Sequence, residues 1–153
     1  MCSARYADSA FSGIGASMVG GRWNSPGRAV VYCAASLELA ILEILVHVDR
    51  ALAPPDLVFF KVPIATGLSM EVLSPEDLPS GWRGIPAPMA LAALGDAWIA
   101  RAQSAVLAVP SAVSPEGQNL LLNPRHPDLA GLVIPPAQRL VLDPRLLDGA
   151  SVD

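Results

Sequence analysis

Residues 36–48 read SLELAILEILVHV, and the reading of this stretch decides what kind of fold the chain can form. Leu37, Ala40, Ile41, Ile44, Leu45 and Val48 recur at helical spacing, which predicts a helix with a core-facing stripe. Leu39, Leu42 and Val46 cover much of the opposite side, so the helix is apolar nearly all round. That pattern predicts a buried helix, and a buried carboxylate is costly without a partner. Glu43 lies in the middle of it. Two readings are open: Glu43 pairs with His47 four residues on or sits at an exposed edge, or a cleft holds a carboxylate there for chemistry.

The chain has 153 residues, enough for one domain with a real hydrophobic core. Apolar content of 52% is high, as is the mean hydropathy of +0.45. Yet no apolar run approaches the roughly 20 residues of a membrane helix, and the opening MCSARYADSAFSG lacks the apolar core of a signal peptide. The expected location is therefore cytoplasmic. The net charge is −4, and Lys61 is the only lysine, which argues against direct nucleic-acid binding. Cys2 and Cys33, with His47 and His126 far apart, make no metal pattern, so no metal is expected.

Strand and helix signals do not alternate regularly. A first strand is expected before Ala7, then a long Gly-, Ser- and Asn-rich loop over 8–27 of the length that usually carries function. RAVVYCA (28–34) reads as a strand, with Ser36 as N-cap of the helix just described. Further strands are expected in DLVFFKVPI (56–64), SMEVL (69–73), SAVLAVPSAV (104–113), QNLLLNP (118–124) and AGLVIPPAQRLVLDP (130–144), the last interrupted by Pro135 and Pro136. PEDLPSGWRG (75–84) reads as a turn with a brief helical piece. PMALAALGDAWIARAQ (88–103) reads as a helix with Pro88 near its start and a stripe of Leu91, Leu94, Ala97, Trp98 and Arg101. Strands outnumber helices, so the fold class is α+β, one domain over residues 1–153.

The densest local signal is GGRWNSPG (20–27). Gly20 and Gly21 allow the backbone close to a ligand, Asn24 tolerates turn geometry, and Arg22 sits between them. A guanidinium there suits bidentate binding of phosphate or carboxylate, or it pins its own loop by binding carbonyls. Neither a phosphate-binding P-loop nor a Rossmann fingerprint is present. Tyr32 is either core packing or an aromatic plate for a flat ring. Ser111 follows a strand and a proline without a nucleophile elbow, which argues against a hydrolase serine. Asn119, Asn123 and His126 read as turn or capping residues, Asn123 and His126 above all.

Taken together, GRWNSPGRAVVY (21–32), SLELAILEILVH (36–47), VPSAV (109–113) and NLLLNPRHPD (119–128) resemble the RES domain family. The resemblance runs from about Tyr6 to about Ile134, with four motifs in the family's order. The family takes its name from its Arg, Glu and Ser, which map here onto Arg22, Glu43 and Ser111, with Tyr32 between the first two. It implies an α+β fold with a split β core like that of ADP-ribosyltransferase toxins. It implies the toxin half of a bacterial type II toxin–antitoxin pair, partnered by an Xre-like helix-turn-helix antitoxin, with NAD as substrate. The nicotinamide–ribose bond would be cleaved by phosphorolysis or hydrolysis, or the ADP-ribose unit moved onto a protein acceptor. On this resemblance Arg22 holds phosphate, Tyr32 packs against the nicotinamide side, Glu43 stabilises positive charge on the ribose, and Ser111 positions. Asn119 adds a hydrogen-bonding group at the NAD site. Arg5 stands near the place of a further family arginine on a first strand that is short here. A homodimer is compatible with this reading. A fold that has kept its shape as an inactive interaction module is the reading from another class, and it would have shed Arg22, Glu43 or Ser111.

Overall fold

The computed structural model describes residues 1–47 and 56–147. Its β structure is split into two sheets, in keeping with an α+β fold. Strands β1 (Cys2–Ser3), β3 (Leu57–Phe59) and β7 (Gln138–Arg139) form a small antiparallel sheet in the order β1-β3-β7. Strands β2 (Val31–Ala34), β6 (Gln118–Leu122), β5 (Val106–Pro110) and β4 (Met70–Val72) form the larger one, in the order β2-β6-β5-β4. The β4–β5 pair is parallel and the others are antiparallel.

Register decides the core. Opposed residues share a face, so Tyr32, Leu121 and Leu107 project one way while Val31, Leu122 and Val106 project the other. Leu107, Val109 and Leu121 pack with Trp23, Leu91 and Trp98 on the first face. Val31, Val106 and Leu122 pack with Phe11, Leu129 and Leu132 on the second. Both faces being covered, every residue of β5 is buried. This is why VLAVP reads as a continuous apolar run and not as an alternating one.

Three α-helices are described: α1 (Ile14–Val19), α2 (Leu37–Leu45) and α3 (Met89–Arg101). Helix α2 begins as expected, the Ser36 hydroxyl accepting from the Leu39 N–H at 3.2 Å. It ends earlier than its apolar pattern does, and Val48 lies outside the described residues. The expectation of a helix buried all round is corrected: Leu39 is buried while Leu42 stays exposed. Helix α3 packs through Leu91, Gly95 and Trp98, so Leu91 and Trp98 of the expected stripe are buried while Leu94, Ala97 and Arg101 are exposed. The cause is Gly95, where a Cβ would lie 1.8 Å from the Trp23 carbonyl oxygen. Glycine is apolar to no scale, yet its missing side chain sets which face docks.

Two other expectations change. The first strand is only Cys2–Ser3, and residues Ala4–Ser9 turn into a 3₁₀ helix. The long loop carries α1 within it, and the 130–144 stretch contributes only Gln138–Arg139 as strand. Among the described residues no helix is long and apolar enough to cross a membrane.

Candidate active site

Helix α2 presents Leu39 and Glu43, one turn apart, to the end of β5 and the start of β6. The turn between those strands closes tightly, with the Ser111 N–H donating to the Gly117 carbonyl at 2.8 Å. At Gly117 a Cβ would meet Leu39 Cδ1 at 3.1 Å and Ser111 Cβ at 3.1 Å. Glycine there lets the helix approach the turn. Glu43 then reaches two donors at once. The Ser111 hydroxyl donates to Glu43 Oε1 at 2.8 Å, and Asn119 Nδ2 donates to the same oxygen at 2.6 Å. The Ser111 oxygen in turn accepts from the N–H groups of Val113 and Ser114, both at 3.1 Å. Its proton and lone pairs are all engaged in these bonds.

This settles what Glu43 pairs with. His47 does not meet its carboxylate: His47 Nδ1 lies 2.7 Å from the Glu43 main-chain carbonyl instead. Both side-chain donors converge on Oε1, and among the described residues Oε2 accepts from none. One oxygen fixes the carboxylate and the other remains for a ligand.

Arg22 and Tyr32 form the second half. Gly21 and Asn24 bridge across a four-residue turn with Arg22 and Trp23 at its tip, the Gly21 N–H donating to the Asn24 carbonyl at 2.8 Å. The Arg22 guanidinium reaches out of this loop to the turn before α3, donating to the carbonyls of Trp82 and Gly84. It therefore does bind carbonyls, but those of a distant turn and not its own loop. Among the described residues these are the bonds that its guanidinium makes, two of the five N–H groups it carries.

Tyr32 is 40% exposed, so its ring is not core packing. Its hydroxyl end is enclosed, donating to Asn24 Oδ1 at 2.8 Å and accepting from the Trp23 N–H at 3.0 Å. Burial pushes this phenol up to about 12, with the Asp96 charge adding to the rise and the Trp23 N–H and the Arg22 charge opposing it. Tyr32 is opposite Leu121 and Asn119 is opposite Ala34, which makes Tyr32 and Asn119 diagonal neighbours on one sheet face. Such neighbours lie about 7–8 Å apart. The sheet thus joins the Arg22–Tyr32 pair to the Glu43–Ser111–Asn119 cluster.

Other expected residues fall elsewhere. Asn123 accepts from the Arg125 N–H in a turn, and His126 caps a short 3₁₀ helix through the Asp128 N–H, both structural as read. Arg5 stacks on the ring of its neighbour Tyr6, 4.7 Å from the centroid. A recess of about 660 Å³ lies between the two sheets. Val31, Cys33, Leu37, Ala40 and Phe59 line it together with Tyr32, and Arg22, Glu43, Ser111 and Asn119 do not. It is on the sheet face away from the carboxylate, so its size does not locate the polar cluster. Sequence reasoning missed the clamp on the Arg22 loop, in which Asp96 Oδ1 accepts from the Ser25 N–H at 3.0 Å. A glycine inside a helical pattern, Gly95, was the available signal of close approach.

An α+β fold with a split β core, carrying one carboxylate oriented by a serine and an amide beside an arginine loop, defines a protein with a carboxylate-centred site on one sheet face. The chain belongs to the RES domain family, whose model matches residues 1–143. It is 41% identical to the Prs ADP-ribosylating toxin of Sphingobium sp. (strain YBL2) over 138 residues, 89% of this chain and 86% of that one. It is 42% identical to Toxin Res of Yersinia enterocolitica over 122 residues, 80% of each chain. To Toxin Res of Pseudomonas putida it is 37% identical over 124 residues, 80% of this chain and 81% of the other.

Proposed function

We propose that this chain, one RES domain over residues 1–153, is the toxin of a toxin–antitoxin pair and attacks NAD in the cytoplasm at its nicotinamide–ribose bond. The observation that carries the reading is Glu43, with Oε1 held by Ser111 and Asn119 and Oε2 left open. Nicotinamide in NAD is already cationic. When the bond to the ribose carbon breaks, its electron pair leaves with nicotinamide, which departs neutral and needs no proton. The positive charge moves to the ribose as an oxocarbenium-like centre. A carboxylate fixed beside that centre stabilises it without reorganising, and its open oxygen can also accept from a ribose hydroxyl.

Arg22 would hold the pyrophosphate with its remaining N–H groups, and the exposed ring of Tyr32 would face the nicotinamide side. Ser111 and Asn119 orient Glu43. Phosphate or water would then take the ribose carbon, giving ADP-ribose-1″-phosphate or ADP-ribose. The Sphingobium relative's name supports a second acceptor, a protein side chain, which makes ADP-ribosyl transfer the alternative outcome of the same bond cleavage. No metal enters this chemistry. An Xre-like helix-turn-helix antitoxin would silence the toxin in its host, and two toxin copies would form a homodimer.

The test is NAD consumption by the purified chain, with and without phosphate, with products identified by mass. ADP-ribose-1″-phosphate appearing only with phosphate establishes a phosphorylase, and free ADP-ribose establishes a hydrolase. Labelled NAD incorporated into protein in a lysate establishes the transferase. Absence of all three overturns the reading.

A further inference from the structure

Asn24 is 1% exposed, and its side chain is used from both ends. Nδ2 donates to the carbonyls of Ala16 at 2.9 Å, Arg28 at 3.0 Å and Ser25 at 3.3 Å. Oδ1 accepts from the Tyr32 hydroxyl at 2.8 Å. Two N–H protons serve three carbonyls, so the longest contact shares a proton. Aspartate at this position would set an oxygen against three carbonyl oxygens, and an apolar residue would leave them unpaired. Only a side-chain amide meets both requirements.

What this hub holds are the two groups on the Arg22 side of the site. The main chain of Asn24 is the foot of the bridged turn whose tip is Arg22. Its side chain reaches the phenol of Tyr32, which in turn accepts from the Trp23 N–H at the same tip. A Cβ at residue 21 would lie 2.6 Å from that phenol oxygen and 3.0 Å from Asn24 Oδ1, so the missing side chain of Gly21 lets the turn close on the hub. By contrast Glu43, Ser111 and Asn119 make no hydrogen bond to the loop among the described residues.

We propose that Asn24 is a positioning residue for NAD binding: it fixes the 21–24 turn so that Arg22 and the ring of Tyr32 are presented together as the anchoring half of the site. The inference rests on the proposed NAD reaction and adds to it a division of labour. The loop governs binding, and the α2–β6 cluster governs bond cleavage.

The test is a double-mutant cycle on the full chain, reading KM for NAD and kcat for Asn24→Ala, Arg22→Ala and the pair. Loss of Asn24 should raise KM about tenfold while kcat stays within about twofold, because mispositioned anchors cost binding before chemistry. In the Arg22→Ala background the same change should raise KM by clearly less, since one of the two groups it positions is gone and only the ring of Tyr32 is left to misplace. An equal rise in both backgrounds, an unchanged KM, or a fall in kcat alone overturns the inference. Should Asn24→Ala lose its cooperative thermal transition, Tyr32→Phe takes its place. It removes one hydroxyl from the hub and keeps the ring, and a rise in KM of about threefold that vanishes without Arg22 is expected. Full additivity there overturns the inference equally. A wild-type chain that neither binds nor consumes NAD overturns the proposed function itself, whereas an active wild type with additive variants overturns only the role of Asn24.

Discussion

At the scale of single residues, the arrangement of donors around Glu43 separates orientation from chemistry. Ser111 and Asn119 both address Oε1, so replacing Glu43 by Gln leaves an acceptor oxygen for them while removing the charge. Glu43→Gln should retain the thermal transition and lose NAD turnover by at least about a hundredfold, as expected for a fixed charge facing a developing one. Initial rates with saturating NAD, beside a melting curve, check both halves. Ser111→Ala should behave differently. The hydroxyl's proton is spent on Glu43 and its oxygen accepts two main-chain N–H groups, so its loss loosens the carboxylate without deleting a nucleophile. A fall in kcat of about tenfold is expected, and complete inactivity in a folded Ser111→Ala chain would contradict the positioning role. The lack of an elbow motif around the serine was legible in the sequence. The partner of Glu43 was not, because Ser111 and Asn119 are 68 and 76 residues away in sequence. His47 stood at the right helical spacing and turned instead to the main chain.

At the scale of elements, α3 shows how a small residue outweighs an apolar stripe. Alanine at 95 would raise helix propensity by about 1 kcal/mol. Its Cβ, however, would lie 1.8 Å from the Trp23 carbonyl oxygen, a main-chain atom that cannot swing aside. Gly95→Ala should therefore destabilise the fold by about 2–3 kcal/mol, in line with overpacking elsewhere. Denaturant unfolding measures it directly. The same substitution should weaken NAD binding, because α3 grips the loop of Arg22 at two adjacent points. One is the Gly95 contact with Trp23, and the other is the Ser25 N–H to Asp96. Periodicity located α3 and the burial of Leu91 and Trp98 but missed Gly95 and placed Leu94 and Ala97 wrongly, since hydrophobic spacing counts side chains and is blind to where a neighbouring backbone needs room. Helix α2 shows the converse. Its apolar pattern is nearly complete around the axis, yet Leu42 is exposed, because a chain with so few polar residues leaves some apolar surface in water.

At the scale of the whole molecule, burial holds the protons of Cys2, Tyr32 and Cys33, the last two most strongly, and these groups shape how stability responds to alkali. The phenol of Tyr32 is raised from 10.0 to about 12 and the thiol of Cys33 from 9.0 to about 11, burial being the largest cause for each. Between these values the unfolded chain has released protons that the folded chain still holds, so stability falls as pH rises. The contribution is fully present below about pH 9 and is lost progressively up to about pH 12. Urea midpoints taken at rising pH should decline across this window, and Tyr32→Phe should make the decline shallower above about pH 10 and end it near pH 11, where the Cys33 contribution is spent. A flat alkaline profile would show that neither group is shielded as described. On the same scale the sequence by itself determined the α+β class, the capped start of α2 at Ser36, the strand that ends at Pro110 and the glycine-rich frame of Arg22. Each of these follows from local spacing, turn chemistry or an unbroken apolar run. Only the tertiary structure decided which oxygen of Glu43 is held, that Arg22 is gripped by the carbonyls of Trp82 and Gly84, and that Asn24 ties Tyr32 to the Arg22 turn. Those are pairings between polar groups, most of them far apart along the chain. No periodicity records them, because a hydrogen bond depends on where packing brings two atoms and not on the pattern of residues beside either one.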